Sequence, residues 1–182
     1  MPHRLTRIYT RKGDEGYTTF GDKPIAKDDL LIEAIGTLDE LNAALGLVVV
    51  AGSKDKEIAQ SLTQIQQDLF NLGGELHSPK FICITPEKVT ELEQRLDHWN
   101  QTLPPLKEFL LPRGNQASAA CHLARTVCRR AERCLVRLHR QVPLQNPEMI
   151  RFLNRLSDLL FVLSRILARE TDEKEMMWEH EK

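Results

Sequence analysis

From about residue 28 onward, apolar residues recur every three or four positions, the spacing of one face of an α-helix. Leu31, Ile35, Leu38, Leu45 and Val49 predict a first helix over 28–51, closed by Gly52. Ile58, Leu62, Ile65, Leu69, Leu72 and Leu76 predict a second, with Gly73-Gly74 weakening its last turn. Thr85 as cap and Pro86 at the first helical position open a third, carrying Val89, Leu92, Leu96, Trp99 and Leu103 and ended by Pro104-Pro105. Ala120, Leu123, Val127, Ala131, Cys134 and Leu138 predict a fourth helix over about 115–140. Asn146 as cap and Pro147 open a fifth, in which Leu153, Leu156, Leu160, Leu163 and Leu167 keep register to about 169. Residues 1–27 are polar and glycine-containing without a helical period, with Ile8-Tyr9-Thr10 extended. Residues 170–182 read as a charged, mobile tail with an apolar knot at Met176-Met177-Trp178. Five amphipathic helices with short connections predict a single all-α domain over 1–182, an up-and-down bundle at 28–169 behind an N-terminal loop at 1–27.

Charge and composition narrow the classes. Lys and Arg number 25 against 26 Asp and Glu, a net charge of −1, which argues against nonspecific nucleic-acid binding. No apolar run is read as long enough to span a bilayer, and "MPHRLTRIYT" lacks the apolar core of a secretory signal, so the expectation is a cytoplasmic protein with no membrane partner. Cys83, Cys121, Cys128 and Cys134 contain no CxxC and read as reduced, buried thiols.

The polar positions carry the chemistry. In the fourth helix Arg125, Arg129 and Arg133 share one arc opposite the apolar face, with Glu132 beside them. Like charges four residues apart repel, so such a row needs anions, either carboxylates or the phosphates that a planar guanidinium grips bidentately. Asp39 and Asn42 in "GTLDELNAALG" and Asn154 and Asp158 in "NRLSD" add polar edges to the first and fifth helices. "TRKGDEGYTTFGDK" at 10–23 nearly matches a Walker A loop, but Asp22 intrudes and Pro24 follows Lys23, so that reading fails. Gly13, Gly16 and Gly21 still permit an anion-binding turn of backbone N–H groups, with Thr10, Thr18 and Thr19 as hydroxyl donors and Lys12 and Lys27 as cations.

"IYTRKGDEGYTT", "GTLDELNAALG", "CRRAER" and "FLNRLSDLLF", in that order and spacing, resemble the PduO-type ATP:cob(I)alamin adenosyltransferases over about residues 8–168. The resemblance implies a five-helix bundle, ferritin-like in outline, assembled as a homotrimer with active sites between subunits. It implies transfer of the 5′-deoxyadenosyl group of ATP to the cobalt of cob(I)alamin, with release of triphosphate and use of Mg²⁺. Residues carried over as ATP-binding are Thr10, Arg11, Lys12, Gly13, Thr18, Thr19 and Lys27 from the loop, Arg129, Arg130, Glu132 and Arg133 from "RRAER", and Asn154. Asp39 is implied to pair across the subunit interface with Arg129, and Phe109 to displace the lower axial ligand of cobalamin. No protein metal site is implied, and handover of product to an adenosylcobalamin-dependent enzyme is a further expectation. Arg113 departs from the pattern, standing where the "LPxG" loop usually has a small residue before its glycine.

Three rivals are weighed. A ferritin-like di-metal site needs Glu-x-x-His pairs, and none of the 6 histidines has a glutamate three residues before it. A nucleotide-sensing bundle would bind ATP without a corrinoid. A nucleic-acid-binding helix would show steep salt dependence and little preference for free ATP.

Overall fold

The computed structural model describes residues 9, 11–78, 80–171 and 175–179. Five helices follow a short hairpin: β1 (Tyr17–Phe20), β2 (Lys23–Ala26), α1 (Leu30–Ala51), α2 (Lys56–His77), α3 (Pro86–Asn100), α4 (Gln116–Gln141) and α5 (Glu148–Arg169). The helices fall where the 3.6-residue pattern places them, and α2 continues through Gly73-Gly74 to His77.

Side-chain caps set three of the starts. Asp29 accepts from the Leu31 N–H, Asp55 from the Glu57 N–H and Asn115 from the Ser118 N–H, each worth about 1 kcal/mol. Two starts differ from expectation. Thr85 holds the cap position of α3 without a side-chain cap bond; its hydroxyl bonds instead to the Glu87 carboxylate, whose pKa falls as a result. Pro147 precedes α5 rather than opening it, and Asn146 Oδ1 accepts from the Glu148 N–H at 3.1 Å. At its other end α1 stops at Gly52, whose φ of 84° lets its N–H reach the carbonyls of Val48 and Val49.

Packing runs in a ring: α1 lies against α2 and α4, α4 against α5, and α5 against α3. Polar ties join α3 to α2, with Lys88 on Asp68 at 2.6 Å and Arg95 on Ser61 at 3.0 Å. The Cys121 thiol meets the Leu160 carbonyl and the Cys128 thiol the Leu153 carbonyl, which sets α4 and α5 antiparallel. The core is mostly leucine, with Leu41, Leu45, Ile65, Leu69, Phe152 and Leu156 among its fully buried members. A buried carboxylate pins one end of the bundle. Glu75 accepts from the N–H groups of Cys83 and Ile84, both at 3.0 Å, and from Asn146 Nδ2 at 2.6 Å.

Three findings correct the sequence reading. The N-terminal segment contains an antiparallel hairpin, with Tyr17 opposite Ala26 and Phe20 opposite Lys23. Gly21, at φ 59°, takes the left-handed position of its two-residue turn. Strands of four residues, with Pro24 tolerated in a sheet made only of edges, leave no period long enough to detect. Second, α1 is long and apolar enough by composition to cross a membrane; it carries Glu33, Asp39 and Glu40 and packs as a bundle helix. Third, residues 175–179 of the tail dock on the loop before α4: the Leu111 N–H donates to the Met176 carbonyl at 2.9 Å and the Trp178 N–H to that of Phe109 at 2.7 Å.

Candidate functional site

Helix α4 buries Ala124, Val127, Cys128, Ala131, Cys134, Leu135 and Leu138 between α1 and α5. That leaves one face open, on which Arg125, half-buried, and Arg129 and Arg133, exposed, stand one turn apart. No carboxylate among the described residues forms an ion pair with any of the three. Arg125 Nε is buried with no acceptor. Burial, then the charge of Arg129, lowers the pKa of Arg125. A row of like charges without counterions is electrostatically unfavourable by itself, and it is the kind of field that binds an anion.

Neighbouring residues order this face. Glu132 accepts from Asn154 Nδ2 at 3.1 Å, which joins α4 to α5 beside the arginines. Asp158, one turn beyond Asn154, accepts from Arg155 at 2.8 Å, and Arg155 also reaches Glu93 of α3 at 3.1 Å. Arg130 points away from the row and pairs with Glu40 of α1. Asp39 is exposed and forms no ion pair among the described residues. Beneath the arginines, burial pushes the Cys121 thiol up to about 12 and raises that of Cys128 further, so both stay protonated.

The N-terminal loop is ordered by its own glycines. The Gly16 N–H approaches the Gly13 carbonyl at 3.4 Å, and the Lys27 N–H bonds to the Gly16 carbonyl at 2.8 Å. Lys27 Nζ donates to the Gly13 carbonyl at 2.7 Å. A Cβ at Gly13 would stand 2.9 Å from that Nζ, so a larger residue there would displace the lysine end. Arg11 takes a φ of 60°, and its guanidinium lies 5.6 Å from the centre of the Tyr9 ring. Lys12 and Thr19 are exposed and Thr18 half-buried. Thr10 lies outside the described residues. The hairpin seats this loop at the far end of α2, with the Phe20 ring 4.4 Å from that of His77. Among the described residues, Arg11, Gly13, Thr18, Thr19 and Lys27 make no hydrogen bond to α4 or α5.

A cleft of about 510 Å³ opens at the Arg125 end of the row, walled by Leu106, Phe109 and Leu110 of the loop, His122 and Arg125 of α4, and Phe161 of α5. Phe109 is 77% exposed. His122 is 5% exposed, its Nδ1 has no partner, and burial, with the nearby charge of Arg125, lowers its pKa to about 4. The ring is therefore neutral near pH 7. Sequence reasoning gave neither His122 nor Phe161 a place in the site. The available signal was the three-residue step from His122 to Arg125, which puts the histidine on the edge of the arginine arc. A second cleft, of about 430 Å³, lies between the hairpin and the bundle, where Phe20 and Ile25 face Leu138 and Met149. Among the described residues no group of three His, Cys, Asp or Glu side chains is placed to hold a metal ion.

The whole chain has close relatives with this architecture. The family model described as "Cobalamin adenosyltransferase" matches residues 8–167. A cobalamin adenosyltransferase of Cupriavidus metallidurans is 44% identical, with 100% of this chain and 99% of that protein covered. The human corrinoid adenosyltransferase MMAB is 38% identical over 96% of this chain and 74% of its own length. Among solved structures, a PduO-type ATP:corrinoid adenosyltransferase from Lactobacillus reuteri, a phenylalanine-to-histidine variant complexed with cobalamin and ATP, superposes with a TM-score of 0.90 at 33% identity, covering 97% of this chain and 98% of that one. An arginine-to-lysine variant of the same enzyme, complexed with ATP, gives a TM-score of 0.86 at 34% identity, covering 94% and 100%. With four motifs, the five-helix bundle and matches of this extent in agreement, the chain belongs to the cobalamin adenosyltransferase family, and within it to the PduO type.

Proposed function

We propose that this protein transfers the 5′-deoxyadenosyl group of ATP to cob(I)alamin, forming adenosylcobalamin and triphosphate, at sites built between subunits of a homotrimer. The observation that carries the reading is the row of arginines without counterions that runs into a cleft walled by Phe109 and Phe161. A polyphosphate fits the row, and a flat apolar macrocycle fits the cleft.

The cobalt(I) lone pair attacks the ribose 5′ carbon, the carbon–oxygen bond breaks, and the electron pair leaves on triphosphate. No proton is abstracted, so no general base is needed. Negative charge grows on the leaving group, and Arg129 and Arg133 are placed to stabilise it without reorganising. Glu132 and Asn154 hold each other and fix the floor of the nucleotide site. Glu132, a half-buried carboxylate beside the arginines, would hold a Mg²⁺ carried in on the phosphates, and the ion would supply positive charge to the leaving group. The loop residues Thr10, Arg11, Lys12, Gly13, Thr18 and Thr19 wrap the nucleotide, and Lys27 exchanges its bond to Gly13 for a phosphate oxygen. The loop makes no hydrogen bond to the arginine row of its own chain among the described residues, which leaves it to serve the arginine row of the partner subunit. Asp39 pairs with Arg129 of the partner subunit; Arg125, a turn earlier and with an unsatisfied Nε, is open to the same carboxylate. Arg130 supports the site through Glu40. Phe109 excludes water and the lower axial ligand from cobalt, which favours the four-coordinate cob(II)alamin that is easier to reduce. The four free thiols suit a cytoplasmic enzyme, and the product passes to an adenosylcobalamin-dependent enzyme.

The test is a visible spectrum of chemically reduced cobalamin with protein, ATP and Mg²⁺. Conversion to an alkylcobalamin spectrum is expected, and its absence overturns the reading. The shared site has its own test. Lys27→Ala and Arg133→Ala proteins, each inactive alone, should recover part of the activity when unfolded and refolded together, since mixed trimers contain some intact seams. No recovery would place the whole site in one subunit.

A further inference from the structure

The loop over 106–111 carries Phe109, yet little of its own holds it in place. It lies outside the helices, and Phe109 is too exposed to be fixed by packing. Apart from the Leu111 carbonyl, which accepts from the Arg113 N–H at 2.8 Å, the backbone hydrogen bonds of 106–111 that leave the loop go, among the described residues, to the C-terminal segment. The Leu111 N–H donates to the Met176 carbonyl at 2.9 Å, the Phe109 carbonyl accepts from the Trp178 N–H at 2.7 Å, and Leu110 faces Met177 as an antiparallel bridge. The rings of Phe109 and Trp178 lie 6.4 Å apart. The tail is thus a short added strand whose hydrogen bonds clamp the backbone on both sides of the Phe109 side chain.

The tail is held in turn by Arg113, whose Nη1 donates to Met176 Sδ at 3.1 Å, and by the carboxylate of Glu175. Glu175 Oε1 accepts from Arg165 Nε at 2.6 Å, and Oε2 accepts from Arg169 Nη2 at 2.8 Å and Arg165 Nη2 at 3.3 Å. Arg165 is 4% exposed in α5, so it cannot satisfy its charge with water and requires an anionic partner. The same Nη2 donates to the Pro104 carbonyl at 2.8 Å, where the loop begins. One buried guanidinium therefore ties down both the start of the loop and the strand that pairs with its middle. Neutralising the carboxylate would leave the buried Arg165 charge without its anionic partner and loosen the strand.

We propose that Glu175 is a positioning residue of the corrinoid cleft: clasped by Arg165 and Arg169, it fixes the C-terminal strand against residues 109–111 and so sets where Phe109 stands. This rests on the reading that Phe109 faces the lower side of cobalt. Glu175 touches neither substrate and acts only through the strand. Its loss should therefore weaken the step that depends on Phe109 and spare the nucleotide site on the far part of α4.

The experiment uses the full chain with Trp99→Phe, which leaves Trp178 as the only tryptophan, and compares Glu175→Gln, Glu175→Asp and Phe109→Ala in that background. Acrylamide quenching of Trp178 reads strand docking with no corrinoid present. Transfer rates are measured from cob(I)alamin and from cob(II)alamin with a reductant, along with KM for ATP. Glu175→Gln should raise the quenching constant by about twofold or more and slow the reaction from cob(II)alamin by about tenfold, the scale on which small misplacements act. The rate from cob(I)alamin and the KM for ATP should stay near those of the parent, and Glu175→Asp should restore part of both losses. An unchanged quenching constant overturns the latch. A freed Trp178 with unchanged rates from both cobalt states overturns the positioning role, as does equal slowing from both states with a raised KM for ATP. If Phe109→Ala itself reacts equally from both states, the underlying reading of Phe109 has failed and the positioning role falls with it. If Phe109→Ala loses the cob(II)alamin reaction and Glu175→Gln does not, only the latch is wrong.

Discussion

Acidification should weaken this fold through one histidine at the wall of the cleft beside Phe109. His122 is 5% exposed and its pKa is lowered from 6.5 to about 4, first by burial and then by Arg125. The unfolded chain takes up this proton near pH 6.5, whereas the folded chain resists it until about pH 4. The stability tied to a neutral His122 is therefore fully present above pH 6.5, declines as pH falls between the two values, and is lost below the lower one. At 1.36 kcal/mol per pH unit, that interval corresponds to about 3 kcal/mol, an upper figure because the ring borders an open cleft. Besides Arg125 on the same helix, Lys107 and Glu108 line the cleft from the loop, and Phe161 meets the ring from α5 at 6.4 Å.

The assay is urea unfolding at a series of pH values between 7.5 and 4, at one protein concentration, for the parent and for His122→Gln. Carboxylates titrate in both proteins, so the difference between the two curves isolates the histidine. The variant should lose less stability on acidification, by up to about 3 kcal/mol, and an NMR titration of the imidazole should give a midpoint near 4. Parallel curves, or a midpoint at or above 6.5, would refute the burial argument.

The arginine row of α4 yields a second expectation. Arg133→Ala should cut the transfer rate by about a hundredfold or more, the range seen when one charge-stabilising donor is removed, with the helical circular dichroism unchanged; activity within a few-fold of the parent would remove Arg133 from the clamp. Gly13→Ala places a Cβ 2.9 Å from Lys27 Nζ, and because the lysine end is flexible it should cost under ~1 kcal/mol of stability while raising KM for ATP. An unchanged KM would separate the Gly13–Lys27 contact from nucleotide binding. Glu75→Gln replaces an acceptor that holds two backbone N–H groups and Asn146 and should lower stability by about 1–3 kcal/mol, read as a shifted urea midpoint with an unchanged slope.

All five helices were legible before any coordinates, because a helix that packs on a core writes its burial into the chain every three or four residues. Their order, the apolar face of α4 and the arginine row opposite it follow from that local periodicity, as does the stop at Gly52, whereas α3 ends at Asn100, short of the Leu103 and Pro104 that the pattern suggested. What the sequence could not supply was everything that depends on which residues meet across the chain. The hairpin at 17–26 was missed because four-residue strands pair with one another and with the end of α2, leaving no local repeat. Arg129 and Arg130 are adjacent and chemically identical, yet only the packing of α1 on α4 turns Arg130 toward Glu40 and leaves Arg129 in the open row. His122 became a cleft residue, and Glu175 a clasp rather than part of a free tail, only when α5 delivered Phe161, Arg165 and Arg169 to them. Helical periodicity is a property of neighbours in sequence, whereas a site is a coincidence of residues distant in sequence, and only the folded chain brings those together.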